Sequence, residues 1–153
     1  ARVVLIRDIS DKGIHFYTNY GSSKAAALAA NAKAAVNIFW PDMDRQIRMT
    51  VVVNKLDGKL SDAYFATRPR KSQLGAWASA QSNELESREK LEDQLEEFEI
   101  KFEGQDVPRP DFWGGYELVP SYFEFWQGRP SRLHDRIIYE GTPSKWNTKR
   151  LYP

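Results

Sequence analysis

The stretch Arg45-Gln46-Ile47-Arg48-Met49-Thr50-Val51-Val52-Val53-Asn54-Lys55-Leu56 places Ile47, Met49, Val51 and Val53 on one side and Gln46 and Arg48 on the other. A period of two belongs to a strand with one face covered and one face polar. That pattern suits an antiparallel sheet better than a doubly wound parallel one, whose strands are apolar throughout. Working outward, residues 34–40 form a second strand, closed by Pro41-Asp42. Residues 2–8 are β-branched and aliphatic, and residues 14–18 alternate after a turn at Asp11-Lys12-Gly13. Strands resume at 116–118, 122–126, 136–140 and 146–151.

Helical signals are fewer. Ser22 or Ser23 caps an alanine-rich helix ending near Ala30, with Asn31 as its stop. Two short helices, 61–67 and 71–79, flank Pro69. The clearest helix spans 87–102, where Leu91, Leu95, Phe98 and Phe102 make an apolar stripe. Its many glutamates form a solvated face. Many strands at short spacing with few helices predict a mainly β fold, a small antiparallel barrel with flanking helices. One domain over 1–153 suits this length. Ala1 opens directly on the first strand, so a natural N-terminal segment is expected ahead of it.

Composition narrows the function classes. Lys+Arg total 22 and Asp+Glu 21, a net charge of +1, which speaks against gripping nucleic acid by bulk charge. With no cysteine, disulfides, thiolate metal sites and a cysteine nucleophile are excluded. His15 and His134 are the only histidines and lack clustered ligand spacing, so no metal site is expected. No apolar run nears the roughly 20 residues that span a bilayer, and no signal peptide is visible; a cytoplasmic location is expected. A Gly-rich dinucleotide fingerprint and a P-loop are both absent.

Three segments carry chemistry. In Tyr17-Thr18-Asn19-Tyr20-Gly21-Ser22-Ser23-Lys24, a strand ends where a helix begins. Free amides, hydroxyls and one lysine there make an anion site, although an ordinary capped helix reads the same way. Thr67-Arg68-Pro69-Arg70-Lys71-Ser72-Gln73 sets three basic residues and two hydroxyls at another helix start. It suits a second phosphate, or simply an exposed basic turn. In Arg132-Leu133-His134-Asp135-Arg136, an extended backbone turns His134 and Asp135 to opposite sides, which argues against a Ser-His-Asp relay. The same alternation puts Arg132 and His134 on one side, suited to gripping an anionic or phenolic group together.

Taken in order, Arg45–Arg48, Arg68-Pro69, Ser72-Gln73-Leu74-Gly75-Ala76-Trp77, Gln81-Ser82, Trp113-Gly114-Gly115-Tyr116, Glu124-Phe125-Trp126-Gln127-Gly128 and Arg132–Arg136 resemble the successive signatures of pyridoxine/pyridoxamine 5'-phosphate oxidases. The resemblance covers essentially the whole chain. It implies an FMN-binding split β-barrel, a dimerisation region over about 112–153, and a homodimer with FMN at the subunit interface. FMN would be held by Arg2, Arg7, Tyr17, Thr18, Ser23, Lys24, Gln46, Gln81, Ser82, Trp126 and Arg136. The substrate phosphate would fall to Tyr64, Arg68 and Ser72, and the substrate ring to Arg132 and His134 as the catalytic pair. The implied reaction oxidises a phosphorylated B6 vitamer to pyridoxal 5'-phosphate, with O2 as acceptor and H2O2 as by-product.

Three positions depart from the family pattern. Arg7 stands where lysine is usual, Ser23 where arginine is usual, and Met49-Thr50-Val51 where Val-Glu-Gly is typical. Arg7 keeps a charge with different donor geometry. Ser23 lacks a phosphate-binding cation, and Val51 adds bulk. Together they lead us to expect weaker FMN binding than is usual in the family. The alternative is a protein of the same fold that binds FMN or pyridoxal phosphate with little turnover. A relative acting on a bulkier ring is a third reading, against which the Tyr64, Arg68 and Ser72 set counts.

Overall fold

The structure is a computed structural model and describes residues 1–153. Its strands are β1 (Asp8–Ile9), β2 (Ile14–Asn19), β3 (Lys33–Trp40), β4 (Arg45–Lys55), β5 (Trp113–Gln127), β6 (Asp135–Thr142) and β7 (Lys145–Leu151). Its helices are α1 (Ser23–Ala30), α2 (Gly58–Ala66), α3 (Arg70–Ala78) and α4 (Arg88–Lys101). The strands pair in the order β1-β2-β5-β4-β3, with β6 on β5 and β7 on β6. The fold is mainly β with flanking helices, as the strand spacing implied. The residues group into two compact units.

The first unit comprises Ala1–Arg7, Phe16–Ala30 and Lys55–Tyr116 and holds all four helices. Its core is Phe65, Leu74, Ala76, Phe102, Val107 and Trp113, with Tyr17, Tyr64, Trp77, Leu95 and Phe98 packed against it. The α4 stripe read from the sequence thus supplies Leu95, Phe98 and Phe102 to one cluster. Ser87 caps α4, its hydroxyl accepting from the Lys90 N–H, and Asp57 caps α2 by accepting from Lys59. The Gln73 amide donates to the Phe65 carbonyl at 2.9 Å, closing the C-terminus of α2 and so fixing the turn that carries Arg68.

The second unit comprises Asp8–His15, Asn31–Asn54 and Glu117–Pro153. In it β3 pairs with β4 from Lys33↔Val52 to Trp40↔Arg45, and β6 pairs with β7 from Arg136↔Leu151 to Thr142↔Lys145. On β4, Met49, Val51 and Val53 are buried while their neighbours face outward, the alternation on which the fold reading rested.

Two expectations change. Residues 2–7 form no strand; only Asp8 and Ile9 pair, with His15 and Ile14. β-propensity needs a neighbouring strand to pair with, and the ladder at this edge is two residues long. Conversely, the segments 116–118 and 122–126 are one strand, β5, running through Pro120. Proline lacks a donor yet its φ fits extended backbone, and pairing with β6 begins only at Tyr122, beyond it.

Candidate functional site

A cavity of about 450 Å³ lies in the first unit. It gathers, from distant parts of the chain, Arg7, Tyr17, Thr18, Lys24, Tyr64, Arg68, Ser72 and Gln81. Three cations and no carboxylate line it.

Lys24 stands on the first turn of α1. Its ammonium donates to Thr18 Oγ1 at 2.8 Å, Gln81 Oε1 at 2.9 Å and Ser22 Oγ at 3.2 Å. Burial, and then the charge of Arg2, push its pKa down. Thr18 also donates to Gln81 at 3.0 Å. A cation whose partners are all neutral oxygens keeps its charge available to an anion. Ser22 is fully buried and its hydroxyl accepts from the Ala25 N–H, so it is the helix cap. Ser23 is exposed and does not line the cavity. Ser82, beside Gln81, is exposed with a left-handed backbone at φ 74°.

Arg68 lies between α2 and α3, its guanidinium 4.5 Å above the Trp113 ring. Nη1 is buried and has no hydrogen-bond partner. Burial lowers the Arg68 pKa, Tyr64 opposes this, and Arg7 adds to it. A buried guanidinium donor without an acceptor is costly unless a ligand supplies one. Tyr17, Tyr64 and Trp113 stack beside it, with the Tyr17 and Tyr64 centroids 3.9 Å apart at 16°. Gly115 lets β5 pass close to this stack, since a Cβ there would lie 2.7 Å from the Tyr17 ring.

Only part of the basic turn serves the cavity. Arg70 instead donates to the Gln105 carbonyl at 2.7 Å and to the Phe102 carbonyl, at the end of α4. A cation at a helix C-terminus satisfies the last carbonyls and opposes the helix dipole. Replacing Arg70 by alanine is expected to cost about 1 kcal/mol in urea unfolding and leave kcat/KM unchanged within about twofold. A large loss of activity at unchanged stability would contradict this assignment.

The remaining predicted residues belong to the second unit. Gln46 and Trp126 line a cavity of about 580 Å³ there, with Trp40, Met43 and Phe125. The Trp126 and His134 rings lie 4.8 Å apart. The Arg129 backbone N–H donates to His134 Nδ1 at 3.1 Å, so a neutral imidazole carries its proton on Nε2 and presents a donor there. The 130–132 segment is a 3-10 turn with Ser131 and Arg132 both left-handed, at φ 57° and 61°. Strand alternation therefore does not govern how Arg132 and His134 are disposed, contrary to the extended reading. Two adjacent non-glycine residues in this region mark stored strain.

Arg136 is held by Glu124, through Nε to Oε1 at 2.9 Å and Nη2 to Oε2 at 3.0 Å. Arg48 and the Tyr122 hydroxyl also donate to Glu124 Oε2. Glu124 is 2 % exposed. Its hydrogen bonds, chiefly from Arg136, outweigh burial and hold its pKa at about 2. Asp135 is likewise pulled down by Arg129 and Arg150. Sequence reasoning assigned no role to Glu124 or Trp113. The signal for Glu124 was one carboxylate inside the aromatic run Tyr122-Phe123-Glu124-Phe125-Trp126. Val51 is a core residue of β4, 1 % exposed, and lines neither cavity.

The family profile described as pyridoxamine 5'-phosphate oxidase matches residues 1–102. The pyridoxine 5'-phosphate oxidase C-terminal dimerisation region matches 113–153. The chain is 50% identical over 153 residues to the pyridoxine/pyridoxamine 5'-phosphate oxidase of Rubrobacter xylanophilus, and spans 70% of that relative. It is 53% identical over 154 residues to the protein of the same name from Cupriavidus taiwanensis, spanning 72% of it. Among solved structures, PhzG from Burkholderia lata 383, in complex with tetrahydrophenazine-1-carboxylic acid, matches with TM-score 0.92 and 32% identity. That match covers 99% of this chain and 74% of the other. A pyridoxamine 5'-phosphate oxidase-related, FMN binding protein from Nostoc punctiforme shares the fold, with TM-score 0.73 and 15% identity, over 99% of this chain and 80% of its own. These likenesses bear out the split-barrel expectation. No helix is long and apolar enough to cross a membrane.

Proposed function

The chain belongs to the pyridoxine/pyridoxamine 5'-phosphate oxidase family, and we propose that it oxidises pyridoxamine or pyridoxine 5'-phosphate to pyridoxal 5'-phosphate with O2 as acceptor. The observation that carries the reading is the first cavity: three cations, no carboxylate, and a buried guanidinium donor left open beside stacked aromatic rings. Such a donor set suits phosphate groups on flat rings. FMN is the cofactor, and when bound it supplies the hydride acceptor and the route of electrons to oxygen.

The chain's own residues do the rest. Lys24, with Thr18 and Gln81, offers charge and hydroxyl and amide groups to the flavin. Ser82, Tyr17, Arg2 and Arg7 are assigned to FMN as well, as are Gln46, Trp126 and Arg136. Arg68, Tyr64 and Ser72 grip the substrate phosphate. Arg132 orients the substrate ring near its reacting carbon, and His134, as an Nε2–H donor, bonds an oxygen of that ring rather than acting as base in this arrangement. Catalysis then rests on alignment of substrate and cofactor in a dehydrated site. The protein works as a homodimer with the cofactor at the subunit interface.

Activity is tested by adding pyridoxamine 5'-phosphate to the purified yellow protein in air. Equal amounts of aldehyde and peroxide are expected; binding without turnover would favour the alternative of a carrier. The PhzG likeness gives weight to a bulkier ring as substrate, and under that reading a phosphate-free tricyclic acid outcompetes the phosphorylated vitamer. The exposed Ser23 yields a further expectation. Ser23→Arg adds a cation on the first turn of α1 and tightens FMN binding by roughly 10-fold or more, as one charge-assisted contact is worth ~1.5–3 kcal/mol. Fluorescence titration of the apoprotein measures it, and equal dissociation constants would refute the idea.

A further inference from the structure

Arg68 differs from two other partly buried arginines of this chain, Arg136 and Arg109, in having no carboxylate. Arg136 rests on Glu124 and Arg109 on Asp62, whereas Arg68 rests on rings. Its guanidinium carbon lies 4.5 Å from the Trp113 centroid and 5.5 Å from that of Phe65. Phe65 meets Trp113 edge-on, at 5.1 Å and 70°, so the two rings make a corner beneath the cation. Trp113 is itself buried, 7 % exposed, and lies parallel to Tyr17 and Tyr64 within 11° and 6°. Its backbone is fixed from both sides: its N–H donates to the Pro110 carbonyl at 3.0 Å, and its carbonyl accepts from Arg109 at 2.6 Å.

We propose that Trp113, with Phe65, is a positioning residue that seats Arg68 by cation–π contact and thereby sets the preference for phosphorylated over unphosphorylated substrates. This rests on the oxidase reading above. An aromatic face attracts the guanidinium through its quadrupole, yet it neutralises no charge and uses no N–H. A carboxylate in the same place would do both, and would repel the incoming phosphate. The rings also strip water from the cation, so that a phosphate meets it in a medium of low polarity. Trp113 lines the same cavity, and the role assigned to it is exerted through Arg68.

The test compares Trp113→Phe and Trp113→Leu with the wild-type holoenzyme, using pyridoxamine 5'-phosphate, unphosphorylated pyridoxamine and inorganic phosphate as an inhibitor. Trp113→Leu is expected to raise KM for the phosphorylated substrate roughly 5- to 30-fold, with kcat little changed. The inhibition constant of inorganic phosphate rises in parallel, while kcat/KM for unphosphorylated pyridoxamine stays within about twofold. Trp113→Phe, which keeps a weaker face, recovers part of the loss and stays several-fold above wild type. Equal losses on both substrates indicate a packing role and overturn the proposal, as does an unchanged KM. Should Trp113→Leu fail to fold, Trp113→Phe decides: an inorganic phosphate constant raised several-fold supports the seat, and an unchanged one overturns it. If the wild type oxidises neither vitamer yet binds inorganic phosphate more tightly than Trp113→Phe does, the oxidase reading fails and the seat stands.

Discussion

Arg68→Met is expected to raise KM for pyridoxamine 5'-phosphate by about 100-fold or more while the protein remains folded and yellow. The guanidinium is the one cavity cation with an unfilled buried donor, so it has the most to offer an anion. Two charge-assisted hydrogen bonds to phosphate are worth ~1.5–3 kcal/mol each, which sets the size of the loss. Methionine keeps an aliphatic stem over Trp113 and removes the charge together with its N–H donors. The same change relieves the desolvation that already depresses the Arg68 pKa. The ligand-free variant should therefore unfold at the same urea concentration as wild type, or a higher one. Lysine at 68 should recover little, because a point charge cannot present a fork of N–H groups. A variant with wild-type KM would remove Arg68 from the substrate site.

Glu124→Gln carries the largest expected effect on stability. Glu124 is buried and receives Arg136, Arg48 and Tyr122. Losing its charge leaves two guanidinium groups facing a neutral amide, at a cost of about 2–4 kcal/mol. The pH dependence follows from the same carboxylate. Its folded pKa of about 2 lies below its ordinary value of 4.5, so its contribution is complete above the unfolded value. It is lost as pH falls from there through the folded value. Wild type should shed about 3 kcal/mol of stability over that window, and Glu124→Gln should lack that component. Urea melts between neutral and acid pH measure both quantities. Because Arg136 is anchored here, FMN affinity should fall in the same variant. Unchanged stability together with unchanged acid sensitivity would show the cluster to be energetically idle.

The antiparallel, mainly β architecture was legible because β4 alternates so cleanly, and the α4 stripe because its spacing is regular. Lys24, Thr18 and Gln81 were also legible, through motif order, although Gln81 lies 57 residues from Lys24. Most of what stayed hidden depends on contacts between residues remote in sequence. Arg70 reads as one more basic residue of a phosphate loop until α4 packs against α3 and its carbonyls take it. Trp113 reads as a core aromatic until Arg68, 45 positions earlier in the chain, comes to lie on it. The strand expected over 2–7 had the right residues and no partner. The left-handed pair Ser131 and Arg132 carries no glycine or asparagine that would have announced it.

Mixing the protein with pyridoxamine 5'-phosphate without oxygen, and following the flavin absorbance, isolates electron transfer from substrate to flavin. The yellow colour is expected to bleach in a single turnover, one aldehyde per flavin, and to return when air is admitted. A flavin that stays oxidised in the presence of saturating substrate would contradict the oxidase reading.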